Sequence, residues 1–471
     1  MDKKYYITTT LPYVNAEPHI GFALEIVQAD TIARYHKLLG EEVVFNFGTD
    51  EHGQKIYQKA LDEGKDPQVY CDEYAAKFDK LKKALNLSYT NFIRTTDPKH
   101  EKAAQEFWKL CDKNGNIYKK LYKTKYCVGC ELEKTDSELV DGKCPLHPNK
   151  EIEIIEEENY FFKFSKYQKP LLEFYKKNPD FVVPEGKYNE IRTFVEGGLQ
   201  DFSISRLKSK MPWGVPVPND PDQVMYVWFD ALVNYISTLD WPQEEKKFKE
   251  FWPGVQVAGK DNLRQQTAIW QAMLMSAGLP NSKQIFIHGF ITVDGQKISK
   301  SLGNTINPIE LTEKYGTEAV RYFLLAKVNP YDDSDFSYEK FEDAFNGELA
   351  NGLGNLISRI AKLCERIHFK VSGDIKFIDE VSEHLDEYRL DMAMESIWKS
   401  IKELDAKITK LEPWKMEDEW LADFLLDACV QISSIGYSLS PFMPETSKKI
   451  LDQFNSGEIK SGSPLFPRLA K

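Results

Sequence analysis

The spacing of apolar positions changes several times along the chain, and each change predicts an element. Residues 4–9, Lys-Tyr-Tyr-Ile-Thr-Thr, are β-branched and aromatic and read as a strand. From His19 onward, Ile20, Ala23, Leu24, Val27, Thr31, Tyr35 and Leu38 recur at threes and fours, a helical period that Gly40 ends. Val43 to Phe47 reads as a buried strand, and Gly48-Thr49-Asp50 follows at its end. Strand, helix, strand in that order predicts an α/β fold with a doubly wound, Rossmann-like parallel sheet. Ligands of such sheets bind at the carboxyl ends of the strands. Asn15, His19 and Asp50 all fall there.

Residues 55–115 read as solvated helices with no assignable chemistry. Residues 151–157 are acidic and β-branched, and an aromatic strand, Asn-Tyr-Phe-Phe-Lys-Phe, follows over 159–164. The sheet is expected to resume at 224–228, followed by a helix with Trp228, Ala231 and Tyr235 on one face; that stripe reads equally as core packing. Residues 255–258 and 285–288 predict two further strands, the first running into Gly259-Lys260-Asp261. After Asn307-Pro308 the pattern is helical to the end. Leu390, Met394, Ile397, Ile401, Leu404, Ile408 and Leu411 mark one bundle seam, and Leu421, Phe424, Leu425, Ala428, Ile432 and Ile435 a second apolar face.

Composition narrows the class. Of the 471 residues, 42% are hydrophobic and 28% charged, as in a soluble globular protein of several domains. No apolar run is long enough to span a membrane, and the first residues lead straight into a strand without a signal peptide, so a cytoplasmic location is expected. A net charge of −12 excludes a chain coated for non-specific nucleic-acid binding but leaves room for a local basic groove.

Three stretches carry candidate chemistry. Lys297-Ile-Ser-Lys300-Ser301, flanked by Gly295 and Gly303, suits a polyphosphate: two ammonium groups meet phosphate charge, and hydroxyls and backbone N–H groups donate. Alone it reads first as a solvated basic turn. His19 and Gly21 open the first helix, where a nucleotide anion fits, as does an ordinary helix start. Cys127-Val-Gly-Cys130 and Cys144-Pro-Leu-His147 have the spacing of a closed Cys3His zinc site in a reducing compartment. The lysine-rich, loop-rich surroundings form a knuckle with little core of its own, which a metal would hold folded. Cys71, Cys111, Cys364 and Cys429 read as buried small hydrophobes.

Taken together, Pro12-Tyr13-x-Asn15-x3-His19-Ile20-Gly21, Gly48-Thr49-Asp50-Glu51-His52-Gly53, the Cys3His set, Tyr226-Val-Trp228-Phe-Asp230-Ala231, Gly259-Lys260-Asp261, Lys297–Ser301 and Pro441-Phe-Met-Pro444 resemble the class I aminoacyl-tRNA synthetases and, within them, the methionyl-tRNA synthetase family. The resemblance runs from Tyr5 to Ile450. It implies a catalytic sheet over 1–115 and 221–290, an inserted connective domain over 116–220 with its zinc knuckle at 127–147, a signature loop and stem-contact region over 291–340, and an all-α anticodon-binding bundle over 341–471.

The same resemblance implies ATP-dependent ligation of methionine to methionine tRNA through methionyl-adenylate. His19, Lys297 and Lys300 would be catalytic. ATP would bind His19, Gly21, Gly259, Asp261, Lys297 and Lys300. Methionine would bind Leu11, Tyr13, Asp50, Trp228, Ala231, Tyr235 and Trp270. One structural Zn2+ would sit on Cys127, Cys130, Cys144 and His147, and Mg2+ would accompany ATP. The tRNA would meet the chain at its acceptor end and its anticodon loop, the loop on Asn355, Arg359 and Trp414. On its residues alone Trp414 reads as core packing and Arg359 as a surface charge. Because the chain stops just after the bundle, a monomer is expected.

The chain departs from the family pattern in two respects: Phe22 stands where a histidine is usual, and Gln265 and Gln266 replace an aromatic–histidine pair. The competing readings are a class I synthetase for another small apolar amino acid and a non-catalytic tRNA-binding paralogue.

Overall fold

A computed structural model of the chain describes all residues except 1–2, 131, 135, 299–302, 368–372, 456–457 and 470–471. At its centre lies a six-stranded parallel sheet. Its strands are β1 (Lys4–Thr9), β2 (Glu42–Thr49), β3 (Asn91–Arg94), β4 (Val182–Val183), β5 (Val255–Gly259) and β6 (Gln284–His288). Their order across the sheet is β3-β2-β1-β5-β6-β4. The winding direction reverses between β1 and β5, so the crevice of a doubly wound fold opens at the carboxyl ends of those two strands.

Both faces of the sheet are covered, which is why β1 is buried almost continuously rather than alternately. Ile7 and Phe45 face a core shared with helix α1 (Ile20–Leu38) and, through it, with the C-terminal helices. Tyr6 and Val44 face a second core built on Phe107, Phe229 and Trp270.

The structure changes four sequence expectations. Residues 91–94, inside the stretch read as solvated helices, pair with β2 as the edge strand β3. Residues 224–228 do not return to the parallel sheet. Asp220–Met225 pairs antiparallel with Ser205–Leu207 and Pro216–Val217 in a separate sheet, and Val227–Ala231 is already helical. A β-branched run states that a strand forms, not which partner it takes. Trp228, Ala231 and Tyr235 do not share one helix face either, because Val227–Ala231 and Asn234–Ser237 are separate short helices. Finally, the region after Asn307 is not wholly helical: Ser334–Phe336 pairs with Ile291–Val293 beside the signature loop.

A long antiparallel hairpin, Ile117–Cys127 against Ile152–Phe162, carries the cysteine knuckle at its far end. The segment containing it also supplies β4 to the main sheet. The C-terminal helices Asn355–Cys364, Leu390–Leu411, Asp418–Ser438 and Pro444–Phe454 form the bundle. The first six seam residues of Leu390–Leu411 are buried; Leu411, at the helix end, is 41% exposed. Every residue named for the second face is buried. Among the described residues no helix is long and apolar enough to cross a membrane.

Candidate functional site

The crevice is built on Glu25, a half-buried residue of α1. One carboxylate oxygen accepts from the Thr10 backbone N–H at 2.7 Å and from the Thr10 hydroxyl at 2.5 Å. The other accepts from the Gly259 N–H at 3.1 Å and meets His288 Nε2 at 3.0 Å. One side chain thus gathers the carboxyl ends of β1, β5 and β6. His19 caps α1: its Nδ1 accepts from the Gly21 N–H at 3.1 Å, and its ring stacks on Phe22 with centroids 4.2 Å apart. A Cβ on Gly21 would stand 2.9 Å from that ring, so glycine is required for it to lie there. The Ile20 N–H donates to the Ile306 carbonyl at 2.9 Å and ties the helix start to the end of the signature loop.

Asp50, buried, pairs through its backbone with the Pro12–Val14 loop. Lys55 Nζ lies 5.6 Å from the Tyr13 ring centroid. Two residues beyond Asp50 and two beyond Trp228, His52 Nδ1 meets Asp230 Oδ2 at 3.1 Å; both are buried. Burial opposes charge on His52, but the Asp230 carboxylate outweighs it and raises the imidazole pKa. This pair ties the segment that follows Asp50 to the helix that carries Trp228. Tyr235 is anchored from the sheet, its carbonyl accepting from the Tyr6 hydroxyl at 2.8 Å. Trp270 lies one layer deeper, packed on Tyr235, Phe107 and Trp252. Leu11, Tyr13, Trp228 and Ala231 are half-buried.

The signature region begins as a hairpin, with Thr292 opposite Lys297 and Asp294-Gly295 turning between them, both at positive φ. Lys297 is exposed and acts electrostatically on both Asp261 and His147. The knuckle therefore faces this loop. Lys300 and Ser301 lie outside the described residues.

The ligand atoms of Cys127, Cys130, Cys144 and His147 all lie within 4.8 Å of one another. Cys130 Sγ is 3.4 Å from Cys144 Sγ and 3.2 Å from His147 Nδ1. Tetrahedral ligands at about 2.0–2.3 Å from zinc have separations of this order, so the set fits the metal. Gly129 is obligatory: a Cβ there would stand 2.4 Å from the His147 ring.

In the bundle, Asn355 and Arg359 follow one another on a helix, Asn355 exposed and Arg359 paired with Asp405 at 2.6 Å. Trp414, expected on its residues alone to be core, is 46% exposed. Its carbonyl accepts from Arg366 Nη1 at 3.1 Å.

Residues 5–153 and 146–361 match the family described as tRNA synthetases class I (M). The chain belongs to that family. It is 40% identical to the methionine–tRNA ligase of Thermotoga maritima, covering 99% of this chain and 80% of that protein. To the methionine–tRNA ligase of Thermosynechococcus vestitus it is 41% identical, covering 98% of this chain and 92% of the other. Its fold superposes on Mycobacterium tuberculosis methionyl-tRNA synthetase in complex with methionyl-adenylate with a TM-score of 0.89, at 36% identity, over 99% of this chain and 98% of that one. The free form of the same mycobacterial enzyme gives 0.85 at 33% identity.

Two residues that organise this crevice have no role assigned from the sequence. Glu25 sits inside a helical apolar pattern with no local motif. Glu51 is buried and receives Arg94 bidentately, Nε at 2.7 Å and Nη2 at 2.9 Å, while its carbonyl accepts from Trp213 Nε1 at 2.6 Å. A buried carboxylate inside a Gly-Thr-Asp-Glu-His-Gly run was the one available signal.

Proposed function

We propose that this chain activates methionine with ATP and transfers it to methionine tRNA. The observation that carries the reading is the buried His52–Asp230 pair, which ties the strand end carrying Asp50 to the short helix carrying Trp228, in a fold whose crevice is closed by Glu25 on Gly259 and His288. Asp50 pairs with the substrate ammonium. Leu11, Tyr13, Trp228, Ala231 and Tyr235, backed by Trp270, line the thioether slot, and sulfur packs favourably beside aromatic rings.

The substrate carboxylate attacks the α-phosphorus of ATP, forming methionyl-adenylate and expelling pyrophosphate. A ribose hydroxyl of the terminal adenosine then attacks the activated carbonyl and releases AMP. No covalent enzyme intermediate is needed, so catalysis is positioning and electrostatic stabilisation. Because Nδ1 of His19 accepts from Gly21, the neutral ring carries its proton on Nε2, a donor for a phosphate oxygen. Lys297 and Lys300 offset the growing phosphate charge, with Gly21, Gly259 and Asp261 cradling the nucleotide.

Cys127, Cys130, Cys144 and His147 would hold one zinc. Four protein ligands leave no open position, so the metal's part is structural. Mg2+ arrives with ATP. The bundle reads the anticodon loop through Asn355, Arg359 and Trp414. The chain works as a cytoplasmic monomer.

ATP–pyrophosphate exchange across a panel of amino acids tests the reading. Exchange with methionine is expected. Exchange with another apolar amino acid but not methionine would move the assignment within the class, and none at all would favour a non-catalytic tRNA-binding protein. Lys300→Ala should abolish most of the exchange while zinc content stays at one per chain.

A further inference from the structure

Strand β2 ends at Thr49, and the peptide units on both sides of Asp50 and the one after are all tied. The Thr49 carbonyl accepts from the Thr95 N–H at 3.2 Å, and the Asp50 N–H donates to the Pro12 carbonyl at 2.9 Å. The Asp50 carbonyl accepts from the Val14 N–H at 3.2 Å, and the Glu51 N–H donates to the Thr95 hydroxyl oxygen at 2.9 Å. The Glu51 carbonyl accepts from Trp213 Nε1 at 2.6 Å and from the Cys71 thiol at 3.5 Å.

The Glu51 side chain completes the arrangement. None of it is exposed. Its Oε1 accepts from the Thr49 hydroxyl at 2.6 Å and from Arg94 Nε at 2.7 Å. Its Oε2 accepts from Arg94 Nη2 at 2.9 Å and from the Thr96 hydroxyl. Arg94, itself half-buried, reaches on to Asp72 Oδ1 at 2.7 Å. Every polar atom of Glu51 is therefore engaged. The partners come from β2, from β3 and the residues just after it, from the helix Pro67–Asp79, and from Trp213 of the inserted segment.

Net stability does not account for this arrangement. Taking a carboxylate out of water costs about as much as a covered ion pair returns. What the planar guanidinium fork adds is direction. Groups that bind a substrate keep their aim through hydrogen bonds of this kind, made by the residues behind them. The Glu51 carboxylate, covered and taken up by Arg94, is not open to a substrate cation. The residue whose backbone it holds is Asp50.

We propose that Glu51, braced by Arg94 and Thr95, is a positioning residue that aims the Asp50 carboxylate at the substrate ammonium. The inference rests on the methionine-activating reading, in which Asp50 meets that ammonium. Loosening Glu51 then weakens the hold on the ammonium and leaves the holds on the thioether and the substrate carboxylate as they are.

The test is ATP–pyrophosphate exchange in the full-length chain, with two fragments of methionine as inhibitors. 3-(Methylthio)propylamine keeps the ammonium and lacks the carboxylate. 4-(Methylthio)butanoate keeps the carboxylate and lacks the ammonium. Exchange by the parent chain with methionine establishes the underlying reading first, so failure of that reading is seen separately. Glu51→Gln keeps the volume and removes the charge that meets the Arg94 fork. Arg94 retains Asp72 and its contact with solvent, so no charge is left buried alone. The methionine KM and the Ki of the amine should each rise about tenfold, the low end for a hydrogen bond to a charged group. The Ki of the butanoate and the ATP KM should stay near those of the parent. Thr95→Val, which keeps the shape and removes the acceptor of the Glu51 N–H, should shift the same two values and serves if Glu51→Gln does not fold. An equal rise for the amine and the butanoate, the mark of a merely structural role, or no rise for the amine would overturn the proposal.

Discussion

The Asp30 carboxylate on α1 lies 2.7 Å from the Arg321 guanidinium, and neither side chain is exposed. Arg321 also donates to the carbonyls of Phe442, Leu85 and Pro441 at 2.7, 3.1 and 3.2 Å. Asp30 takes Arg34 at 2.8 Å and the Ser88 N–H and hydroxyl at 2.6 and 2.7 Å. One buried pair thus fastens helix α1 on the parallel sheet, the helix Thr317–Ala326 and the Pro441–Pro444 turn of the bundle. Burial works against the Asp30 charge, but Arg321 and Arg34 outweigh it and hold the pKa below the usual carboxylate value.

Breaking that pair leaves one charge buried alone. Asp30→Asn is therefore expected to cost about 3–5 kcal/mol, read as a lower urea midpoint. Arg321→Lys should fail to restore stability, since an ammonium cannot reach the carboxylate and three carbonyls from one rigid plane. A midpoint for Asp30→Asn equal to that of the parent would contradict the role given to the pair.

The cysteine knuckle gives a second expectation. Metal analysis should find one zinc per chain. Cys144→Ser should lose it and raise amide exchange across the hairpin Ile117–Cys127 and Ile152–Phe162. Exchange in α1 should stay unchanged, because among the described residues the knuckle shares no core with that helix. Full protection of the hairpin without zinc would show that packing alone holds it.

What the sequence made legible follows from range. The seam along Leu390–Leu411 was visible because each residue repeats its neighbours' environment at a 3.6-residue period. The Cys3His set was visible because its spacing is local. Strand β3 was not: in Asn91–Arg94 only Ile93 is buried, so four residues show no alternation. The destination of 224–228 was not, because local β propensity does not name a partner. Glu25 and the Asp30–Arg321 pair join parts of the chain remote in sequence, and no window of residues contains both sides.

His19 should behave as an electrostatic donor held in place by Gly21 and Phe22. His19→Ala is expected to lower kcat for ATP–pyrophosphate exchange about 10²–10³-fold, the scale of one lost transition-state donor, with a methionine KM near that of the parent. A loss confined to the methionine KM would place His19 in substrate binding instead.

Acid should weaken the fold partly through His100. It is buried, its Nδ1 lies 2.9 Å from the Ser237 hydroxyl, and burial, then the charge of His52, lowers its pKa to about 3. The unfolded chain, with a histidine pKa of about 6.5, binds this proton when the folded chain does not. Its contribution is therefore present above about pH 6.5 and is lost progressively as pH falls toward 3. His100→Gln, which keeps a partner for Ser237, should shrink the drop in Tm between about pH 7.5 and pH 5, a window inside that range. An unchanged drop would show that His100 does not titrate on unfolding.

Trp414 offers the sharpest separation of the two halves of the reaction. Its ring is exposed on a short turn between Leu390–Leu411 and Asp418–Ser438, and Arg366 holds that turn by the Trp414 carbonyl. An exposed ring on a braced turn is a platform for an unpaired base, and stacking of one base contributes about 1–3 kcal/mol. Trp414→Ala should accordingly lower kcat/KM for tRNA charging by about 5- to 150-fold, the same energies expressed as a ratio. ATP–pyrophosphate exchange should not change, because the crevice proposed to bind ATP lies on the sheet and not in the bundle. Trp414→Phe keeps a smaller aromatic face and should recover part of the loss. Arg366→Ala, which frees the turn but leaves the ring, should fall between the two. Equal charging by Trp414→Ala and the parent would remove Trp414 from the tRNA interface, and a parallel loss of exchange would mean that the substitution disturbs the fold.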